Sequence, residues 1–440
     1  MSLYDQLRAR AEAGRPVRVG LIGAGKFGSM FLAQARRTPG LQVLGIADLA
    51  PAKARAALAR VGWPPEAYAA RSFAEAAASG ATYIGDDAQV LIRADGLDVL
   101  VEATGDPGAG LRHAALALDH GRHVVMVNVE ADALAGPVLA ARARAAGLVY
   151  SLAYGDQPAL IAELVDWARS AGFEVVAAGK GTKYLPAYHA STPQTVWGHY
   201  GFSAEQVASG DFNARMFNSF LDGTKSAIEM AAVANACALL PPDDGLGFPP
   251  CGVDDLAEVL KPRAEGGRGV VEVVSSLERD GRPVARDLRW GVYVVIAAAD
   301  DYVRRCFADY GLKCDASGRY AATYKPFHLI GLELGISVAS AALRGEATGQ
   351  ARAFSGDAVA VAKRALQAGE TLDGEGGFTV WGKLIPAARS LREGALPIGL
   401  AHGVKLRHAV AAGQRLRWAD VEIDAADAAV KLRRQMEAGA

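Results

Sequence analysis

Residues 17–28 read VRVGLIGAGKFG, a β-branched apolar run that leads into three spaced glycines. The apolar run is typical of a buried parallel strand, and the segment that follows has helical spacing of apolar residues. The first glycine permits a tight turn, the second lets the backbone approach a pyrophosphate, and the third allows close helix–strand packing. This stretch therefore predicts a dinucleotide-binding turn. The predicted contacts are Gly23, Gly25, Lys26, Phe27 and Gly28.

Short apolar strands alternate with helical stretches up to residue 155, which predicts βαβ units and a Rossmann doubly wound parallel sheet. Longer helices mixed with strand-like runs follow, and they predict an α+β domain. The predicted domains are a dinucleotide-binding domain at 1–155, a catalytic and dimerisation domain at 156–350, and a small β-rich domain at 351–440.

Polar residues follow three further strands of the predicted sheet, where doubly wound folds bind ligands. Asp48 ends the second strand, where an acid binds ribose hydroxyls and repels a 2′-phosphate, so it favours NAD. Lys53 and Arg55 follow one helical turn later and offset that repulsion, which leaves NADP open. The remaining predicted cofactor contacts are Thr104, Gly105 and Asn128.

Composition excludes several classes of function. The formal net charge is −1, so no basic field indicates nucleic acid or an anionic membrane as partner. The four cysteines contain no CxxC pair, and no apolar run reaches the length of a membrane span. We therefore expect a cytoplasmic protein that acts on a small molecule and forms a homodimer or a higher homo-oligomer.

Charged residues in apolar surroundings mark the predicted catalytic region. Lys180 and Lys183 flank a glycine after a strand, where lysine can bind phosphate or protonate a carbonyl oxygen; solvated loop lysines are the alternative. Asp222, Lys225 and Glu229 fall on one face of a predicted helix over 222–239. Because buried charges are paired or serve chemistry, this face is predicted to handle protons, with an ordinary lysine–glutamate surface pair as the alternative.

The last ninety residues contain a weak internal repeat. AKRALQAGETL at 362–372 is similar to LRHAVAAGQRL at 406–416, with Gly369 and Gly413 in matching turns. This region resembles the antifreeze-like SAF domain family, which also ends sialic acid synthases. A packing or oligomerisation module without chemistry is the alternative interpretation.

A family resemblance rests on VGLIGAGKFGSMF, NVEAD, GDQP, GKGTKY, FLDGTKSAIEMA and YKPFHLIGLE. The first domain resembles homoserine dehydrogenases. Nearly the whole chain is similar to bacterial 1-deoxy-D-xylulose 5-phosphate reductoisomerase-like proteins. That resemblance implies rearrangement and reduction of 1-deoxy-D-xylulose 5-phosphate to 2-C-methyl-D-erythritol 4-phosphate, with NADPH and a divalent metal such as Mg²⁺ or Mn²⁺.

The metal implied by this resemblance would fall on Asp156, with Glu130 or Glu229 as a further ligand. Ordinary reductoisomerases carry Asp-x-Glu after a strand, whereas this chain reads Asp156-Gln157-Pro158 and lacks the second carboxylate. Asp156 also suits a helix N-cap, and Glu130 suits a helix N-terminus. Two other functions stay open: homoserine dehydrogenase, and a non-catalytic sensor of dinucleotide and sugar acid.

Overall fold

The computed structural model describes residues 2–209, 212–262 and 270–439, which form two compact units. The first unit comprises residues 1–160 and 328–352, and the second comprises residues 161–327 and 353–440. Over the described ranges, no helix combines the length and the hydropathy that crossing a bilayer requires.

The first unit is built on one parallel sheet of six strands. They are β1 (Val17–Ile22), β2 (Leu41–Ala47), β3 (Tyr83–Gly85), β4 (Val99–Glu102), β5 (His123–Met126) and β6 (Tyr150–Leu152). Their order across the sheet is β3-β2-β1-β4-β5-β6, so the direction of winding reverses between β1 and β4. This order is that of the dinucleotide-binding fold, and it confirms the predicted Rossmann doubly wound sheet.

Helices connect these strands and cover the sheet. They are α1 (Leu3–Glu12), α2 (Lys26–Ala35), α3 (Pro51–Arg60), α4 (Phe73–Ser79), α5 (Ala88–Ile92), α6 (Pro107–Asp119) and α7 (Val129–Ala145). The buried core combines strand residues such as Leu21, Val99 and Val101 with helix residues such as Phe31.

The second unit contains the remaining strands. They are β7 (Glu174–Thr182), β8 (Val270–Ser275), β9 (Val292–Ala297), β10 (Lys313–Cys314), β11 (Tyr320–Lys325), β12 (Gly356–Ala362), β13 (Thr371–Asp373), β14 (Val380–Pro386), β15 (His402–Leu406) and β16 (Val421–Glu422). One mixed sheet has the order β10-β11-β9-β7-β8, and two small sheets are β12-β14 and β13-β15-β16. The mixed sheet and the small sheets confirm an α+β region followed by a β-rich C-terminal region.

The remaining α-helices follow β6 along the chain. They are α8 (Gln157–Ser170), α9 (Val196–Tyr200), α10 (Ala204–Ser209), α11 (Ala214–Leu221), α12 (Thr224–Cys237), α13 (Leu256–Leu260), α14 (Asp301–Asp309), α15 (Gly335–Arg344), α16 (Ala387–Glu393) and α17 (Ala428–Ala438). Helix α15 belongs to the first unit, where Leu334 and Val338 complete the core beside Val99 and Val125. Residues 353–440 lie in the same compact unit as 161–327, whereas the sequence predicts separate segments.

The internal repeat is a structural duplication. The backbone N–H of Gly369 donates to the Leu406 carbonyl, and that of Gly413 donates to the Ala362 carbonyl, each at 2.8 Å. The alignment of the two repeats maps each of these hydrogen bonds onto the other. Residues Leu366 and Val410, also equivalent in the repeats, form a reciprocal antiparallel bridge. The two copies therefore pair with each other around a local pseudo-twofold axis.

A buried ion pair anchors the last helix to this duplicated region. Arg433 on α17 is fully buried and donates to both carboxylate oxygens of Asp357 on β12, at 3.0 and 2.5 Å. Ser390 on α16 donates to the same carboxylate at 2.5 Å. Because a bidentate arginine pair has fixed geometry, it sets the position of α17 against the strand.

A buried carboxyl group lies at a kink of α7 in the first unit. Ala135 has non-helical torsion angles (φ −153°, ψ 22°), and Pro137 follows within the helix. Asp132 is fully buried and accepts a hydrogen bond from the Tyr150 hydroxyl at 3.0 Å, while its Oδ2 has no partner among the described residues. Burial raises the pKa of Asp132 from 3.8 to about 7, and the Tyr150 hydrogen bond opposes this rise.

We expect Asp132→Asn to change how stability depends on pH. The folded carboxyl group keeps its proton up to about pH 7, whereas the unfolded one releases it near 3.8, so its contribution is present below pH 3.8 and lost as pH rises through 7. Relative to the variant, the native chain should lose on the order of 2–4 kcal/mol of unfolding free energy between pH 4 and 8. Urea unfolding across this range measures it, and parallel curves for the two proteins would contradict the assignment.

Candidate functional site

The glycine turn of the first unit has the backbone geometry that a dinucleotide requires. Gly23 has φ +91°, and a Cβ atom there would lie 2.7 Å from the carbonyl oxygen of Ala103. A Cβ atom on Gly28 would collide with the Gly23 carbonyl, so helix and strand approach too closely for any side chain. A Cβ atom on Gly25 would meet nothing within 4 Å, so open space adjoins the turn.

This open space lies at the N-terminus of α2. The helix begins at Lys26, and Gly25 is its N-cap residue without a side-chain cap. The N–H groups of a first helical turn have no acceptor within the helix and attract anions. Lys26 is exposed and Phe27 is half-buried beside these groups. The residues present therefore suit the pyrophosphate of NAD(P).

The loops after β4 and β5 are joined by side chains beside the winding reversal. Asn128 caps α7 by accepting from Ala131, and its amide donates to the Thr104 hydroxyl at 3.3 Å and to the Asp106 carbonyl at 2.9 Å. Thr104 in turn donates to Glu102 Oε1 at 2.6 Å. Sequence reasoning missed Glu102, a fully buried carboxylate that orients the predicted cofactor contact Thr104.

Open space adjoins this pair of loops as well, since a Cβ atom on Gly105 would meet nothing within 4 Å. Asp48 follows β2, where the sequence predicts it. Its two carboxylate oxygens accept from the backbone N–H groups of Ala24 and Ala50, each at 2.9 Å. Asp48 thus holds the glycine turn against the end of β2. Its contact with a ribose stays a prediction.

The predicted metal ligands lie at two helix starts of the first unit. Asp156 immediately precedes α8, is buried, and accepts from the N–H of Gln157 at 2.8 Å. Glu130 lies in the first turn of α7. Among the described residues, no three His, Cys, Asp or Glu side chains are grouped as for a metal ion. Within the described ranges, Asp156 and Glu130 are therefore not joined by a third such side chain.

The predicted helix over 222–239 is present as α12 (Thr224–Cys237), but Asp222 lies outside it. Asp222 is the C-cap residue of α11, and Gly223, with φ +91°, turns the chain into α12. Asp222 therefore does not share a helix face with Lys225 and Glu229. Gly223 is the sequence signal of this break, since glycine adopts a positive φ without strain.

Asp222 is instead paired with the C-terminal region. Its Oδ2 lies 2.7 Å from the ammonium of Lys363, and both side chains are buried. Lys363 also donates to the carbonyls of Ser191 at 2.7 Å and Gly377 at 2.8 Å. Burial raises the pKa of Asp222, and Lys363 opposes this rise. Asp222 Oδ1 accepts from the N–H of Thr224 at 2.9 Å, whereas Oδ2 has the Lys363 charge beside it but no hydrogen bond among the described residues. Pairing with Lys363 favours a structural role for the Asp222 carboxylate.

Glu229 and Lys180 form a second buried ion pair, between α12 and β7. The sequence predicts Glu229 to pair with Lys225 instead. Lys225 lies in the first turn of α12 and is partly exposed. Glu229 is thus held by a strand of the mixed sheet, and Lys225 remains the predicted proton carrier of this helix.

Lys183 lies one residue past β7 and faces another cation. Its ammonium donates to the His199 carbonyl at 2.6 Å and lies 5.4 Å from the centre of the Tyr200 ring. Burial lowers the pKa of Lys183, and the positive charge of Arg289 lowers it further. The Arg289 charge also acts on Tyr188 and Tyr200. Among the described residues, no carboxylate pairs with Lys183 or with the Arg289 guanidinium.

Because neither Lys183 nor Arg289 has a carboxylate partner among the described residues, this part of the second unit favours an anion. Their mutual repulsion is relieved when a negative group binds between them. Sequence reasoning singled out Lys183 but missed Arg289, which lies just before β9. The spacing of the two residues along the chain carries no signal of their proximity.

Residues 155–334 match the family model described as Oxidoreductase DRL, catalytic domain. Several solved structures also match this chain, each at low sequence identity and low TM-score. Scyllo-inositol dehydrogenase from Lactobacillus casei, with NAD(H) and scyllo-inositol bound, is 11% identical, with TM-score 0.35 and coverage of 64% of this chain and 74% of that one. Dihydrodipicolinate reductase from Paenisporosarcina sp. TG-14 is 12% identical, with TM-score 0.34 and coverage of 76% and 97%.

An NAD-binding oxidoreductase from Klebsiella pneumoniae is 15% identical, with TM-score 0.33 and coverage of 72% and 67%. No curated protein sequence matches the chain. The catalytic-domain match and the dinucleotide-binding fold of the first unit identify the chain as an NAD(P)-dependent oxidoreductase, which confirms the sequence prediction.

We expect Gly25→Asp to weaken NAD(P)H binding by about 100-fold or more, since juxtaposed like charges cost several kcal/mol. The fold should survive, because a side chain at Gly25 points into open space. Gly25→Ala is the matched control for size and should weaken binding less. Cofactor fluorescence titration measures affinity, and thermal unfolding reports on the fold. An unchanged affinity in Gly25→Asp would show that the turn does not hold the pyrophosphate.

We expect Lys363→Met to destabilise the second unit by about 3–5 kcal/mol, because it leaves the buried Asp222 carboxylate without its cation. The double variant Asp222→Asn/Lys363→Met removes both charges and should recover most of this loss. Urea unfolding followed by tryptophan fluorescence compares the two variants. Equal stability of the single variant and the native chain would mean that the ion pair contributes nothing.

Proposed function

We propose that the chain reduces a small phosphorylated hydroxycarbonyl compound with NAD(P)H. Its proposed substrate is 1-deoxy-D-xylulose 5-phosphate, which it rearranges and reduces to 2-C-methyl-D-erythritol 4-phosphate. The observation that supports this choice is that Lys183, 5.4 Å from the centre of the Tyr200 ring, and Arg289, 4.7 Å from the centre of the Trp290 ring, both lack a carboxylate partner among the described residues. A phosphate dianion is the group that two adjacent cations favour most.

The same observation disfavours homoserine dehydrogenase, the second candidate. Homoserine carries one carboxylate and one ammonium group, and the ammonium group would be repelled by two cations. The match of residues 155–334 to an oxidoreductase catalytic domain disfavours a sensor without catalysis.

The proposed reaction needs three proton transfers besides the hydride transfer from NAD(P)H to the carbonyl carbon. In the rearrangement a hydroxyl group loses its proton, and the ketone oxygen gains one as it becomes a tertiary hydroxyl group. In the reduction the new carbonyl oxygen gains a proton when the hydride arrives. Lys225 is proposed for one of these transfers. Lys183 and Arg289 hold the phosphate, and the Lys180–Glu229 pair keeps α12 in place against β7. No step is assigned to a metal.

The direct test is NADPH oxidation by the purified chain with 1-deoxy-D-xylulose 5-phosphate, with the product identified by mass spectrometry. NADH and added Mg²⁺ or Mn²⁺ are compared in the same assay. Aspartate semialdehyde is the competing substrate for the homoserine dehydrogenase alternative. Turnover of the semialdehyde alone would overturn the proposal.

We expect Lys183→Met and Arg289→Met each to raise KM for the phosphorylated substrate by about 10- to 100-fold, because a hydrogen bond to a charged group contributes about 1.5–3 kcal/mol. Cofactor affinity should stay the same. Arg282→Met, which removes an exposed arginine paired with Asp280, is the control and should keep the native KM. Steady-state kinetics with 1-deoxy-D-xylulose, which lacks the phosphate, completes the test. An equal loss with both sugars would mean that the cations do not bind phosphate.

A further inference from the structure

A tyrosine and a histidine of the second unit form a hydrogen-bonded pair that sequence reasoning missed. The Tyr184 hydroxyl lies 3.0 Å from Nε2 of His189, and Nδ1 of His189 lies 2.7 Å from the Asp222 carbonyl oxygen. A carbonyl only accepts hydrogen bonds, so Nδ1 carries the proton. Nε2 of the neutral imidazole is then an acceptor, and the Tyr184 hydroxyl donates to it.

The surroundings of the imidazole favour its neutral form. Burial lowers the pKa of His189, and the ammonium groups of Lys383 and Lys363 lower it further, against the opposing effect of the Asp222 carbonyl. The Asp222 carboxylate is itself paired with Lys363. His189 is therefore poised to accept a proton at Nε2 at neutral pH.

One cation and one carboxylate influence the hydroxyl group of Tyr184. Arg279 lies 5.6 Å from the centre of the Tyr184 ring. Burial raises the pKa of Tyr184, Arg279 opposes this rise and Glu272 adds to it. Tyr184 thus keeps its proton at neutral pH unless a base such as His189 takes it.

Aromatic rings hold both partners in place. Tyr184 stacks on Phe248, with ring centres 4.0 Å apart, and His189 stacks on Trp381 at 3.9 Å. Phe248 has φ +48°, a left-handed conformation that is costly for an aromatic residue. A Cβ atom on Gly223 would lie 3.2 Å from the imidazole, so a small residue is needed there. This arrangement therefore includes a strained backbone at Phe248 and a residue without a side chain at Gly223.

We propose, on the basis of the proposed function, that Tyr184 and His189 are a proton-transfer pair for the hydride step. In the oxidation direction, the carbon of the alcohol loses a hydride to NAD(P)⁺ and its hydroxyl proton passes to the Tyr184 oxygen. The Tyr184 proton passes at the same time to Nε2 of His189, and the Asp222 carbonyl stabilises the imidazolium through Nδ1–H. Reduction of the carbonyl runs each transfer backwards.

The C-terminal region acts as a positioning element for this pair. Trp381 on β14 covers the imidazole, and the next residue, Gly382, donates its N–H to the Thr224 hydroxyl at 2.8 Å. Lys363 holds Asp222, whose carbonyl orients His189. A region for which a packing module without chemistry is the alternative interpretation therefore sets the position of a proton acceptor.

Tyr184→Phe keeps the ring stacked on Phe248 and removes only the hydroxyl group. We expect kcat with 2-C-methyl-D-erythritol 4-phosphate and NADP⁺ to fall by about 100-fold, as for loss of a positioned acid or base. Cofactor affinity and melting temperature should stay close to native. The control is Tyr293→Phe, which removes another buried hydroxyl of this unit, bonded to the Glu272 carbonyl, and should keep the native kcat. Equal kcat in Tyr184→Phe and the native chain would overturn the proposal.

His189→Asn keeps a donor to the Asp222 carbonyl and removes the acceptor nitrogen. The native oxidation rate should fall as pH drops through the lowered pKa of His189, below 6.5, because the pair needs the neutral imidazole. In His189→Asn this acidic limb should disappear and kcat should be low at every pH. A variant that keeps the native acidic limb would show that another group titrates.

The positioning role is tested at Trp381. Trp381→Leu removes the stack, and we expect kcat to fall about 10-fold or more, because misplacement of a reacting group lowers the rate steeply. Trp381→Phe retains a ring and should restore most of this loss. If both variants lower kcat equally while melting temperature falls equally, the tryptophan contributes stability alone.

The pair is also tested without any substrate. Nitrogen-15 NMR of the histidines in the intact chain should show His189 with its proton on Nδ1, and Tyr184→Phe should shift its titration. A proton on Nε2, or an identical titration in both proteins, overturns the pair even if the native chain turns over its substrate. If the native chain turns over neither proposed substrate, the proposed function fails, and the NMR result still decides whether the pair exists.

Discussion

The buried ion pair between Asp222 and Lys363 is the interaction on which the arrangement of the second unit depends. A charge removed from water costs several kcal/mol unless it is paired and hydrogen-bonded, so neither residue is stable there alone. The ammonium of Lys363 also binds two backbone carbonyls and joins the C-terminal region to the catalytic region. Because the carbonyl of Asp222 holds the imidazole of His189, this pair also orients a side chain suited to chemistry.

The two units build their sites by different physical means. The first uses backbone: glycines at the turn after β1 remove side chains, and the start of α2 presents N–H groups to phosphate. The site proposed for the second unit uses side chains from distant parts of the chain, including Lys183, Arg289 and Tyr184. Recognition of a dinucleotide needs close approach to a common phosphate group, whereas a substrate is selected by charges and hydroxyls in a particular arrangement.

Sequence patterns led to correct predictions for features that depend on residues close together in the chain. The periodicity and spacing of residues predicted the strands, the glycine turn and the duplicated segments around Gly369 and Gly413. The helix predicted over 222–239 exists as α12, but Asp222 lies outside it. Its charged residues fit a helical face, yet a glycine with positive φ lies between Asp222 and Lys225, and periodicity is insensitive to one backbone turn.

The sequence by itself determined the dinucleotide-binding fold, the place of its glycine turn and the β-rich character of the C-terminal region. These follow from alternation of apolar residues and from glycines whose conformational freedom is a local property. Only the tertiary structure decided the partners of charged groups: Glu229 with Lys180, Asp222 with Lys363, and His189 between Tyr184 and Trp381. The two ion pairs and the Trp381 contact join segments far apart in the chain. The low dielectric of the interior determines their energy, and residue spacing in the sequence contains no information about it.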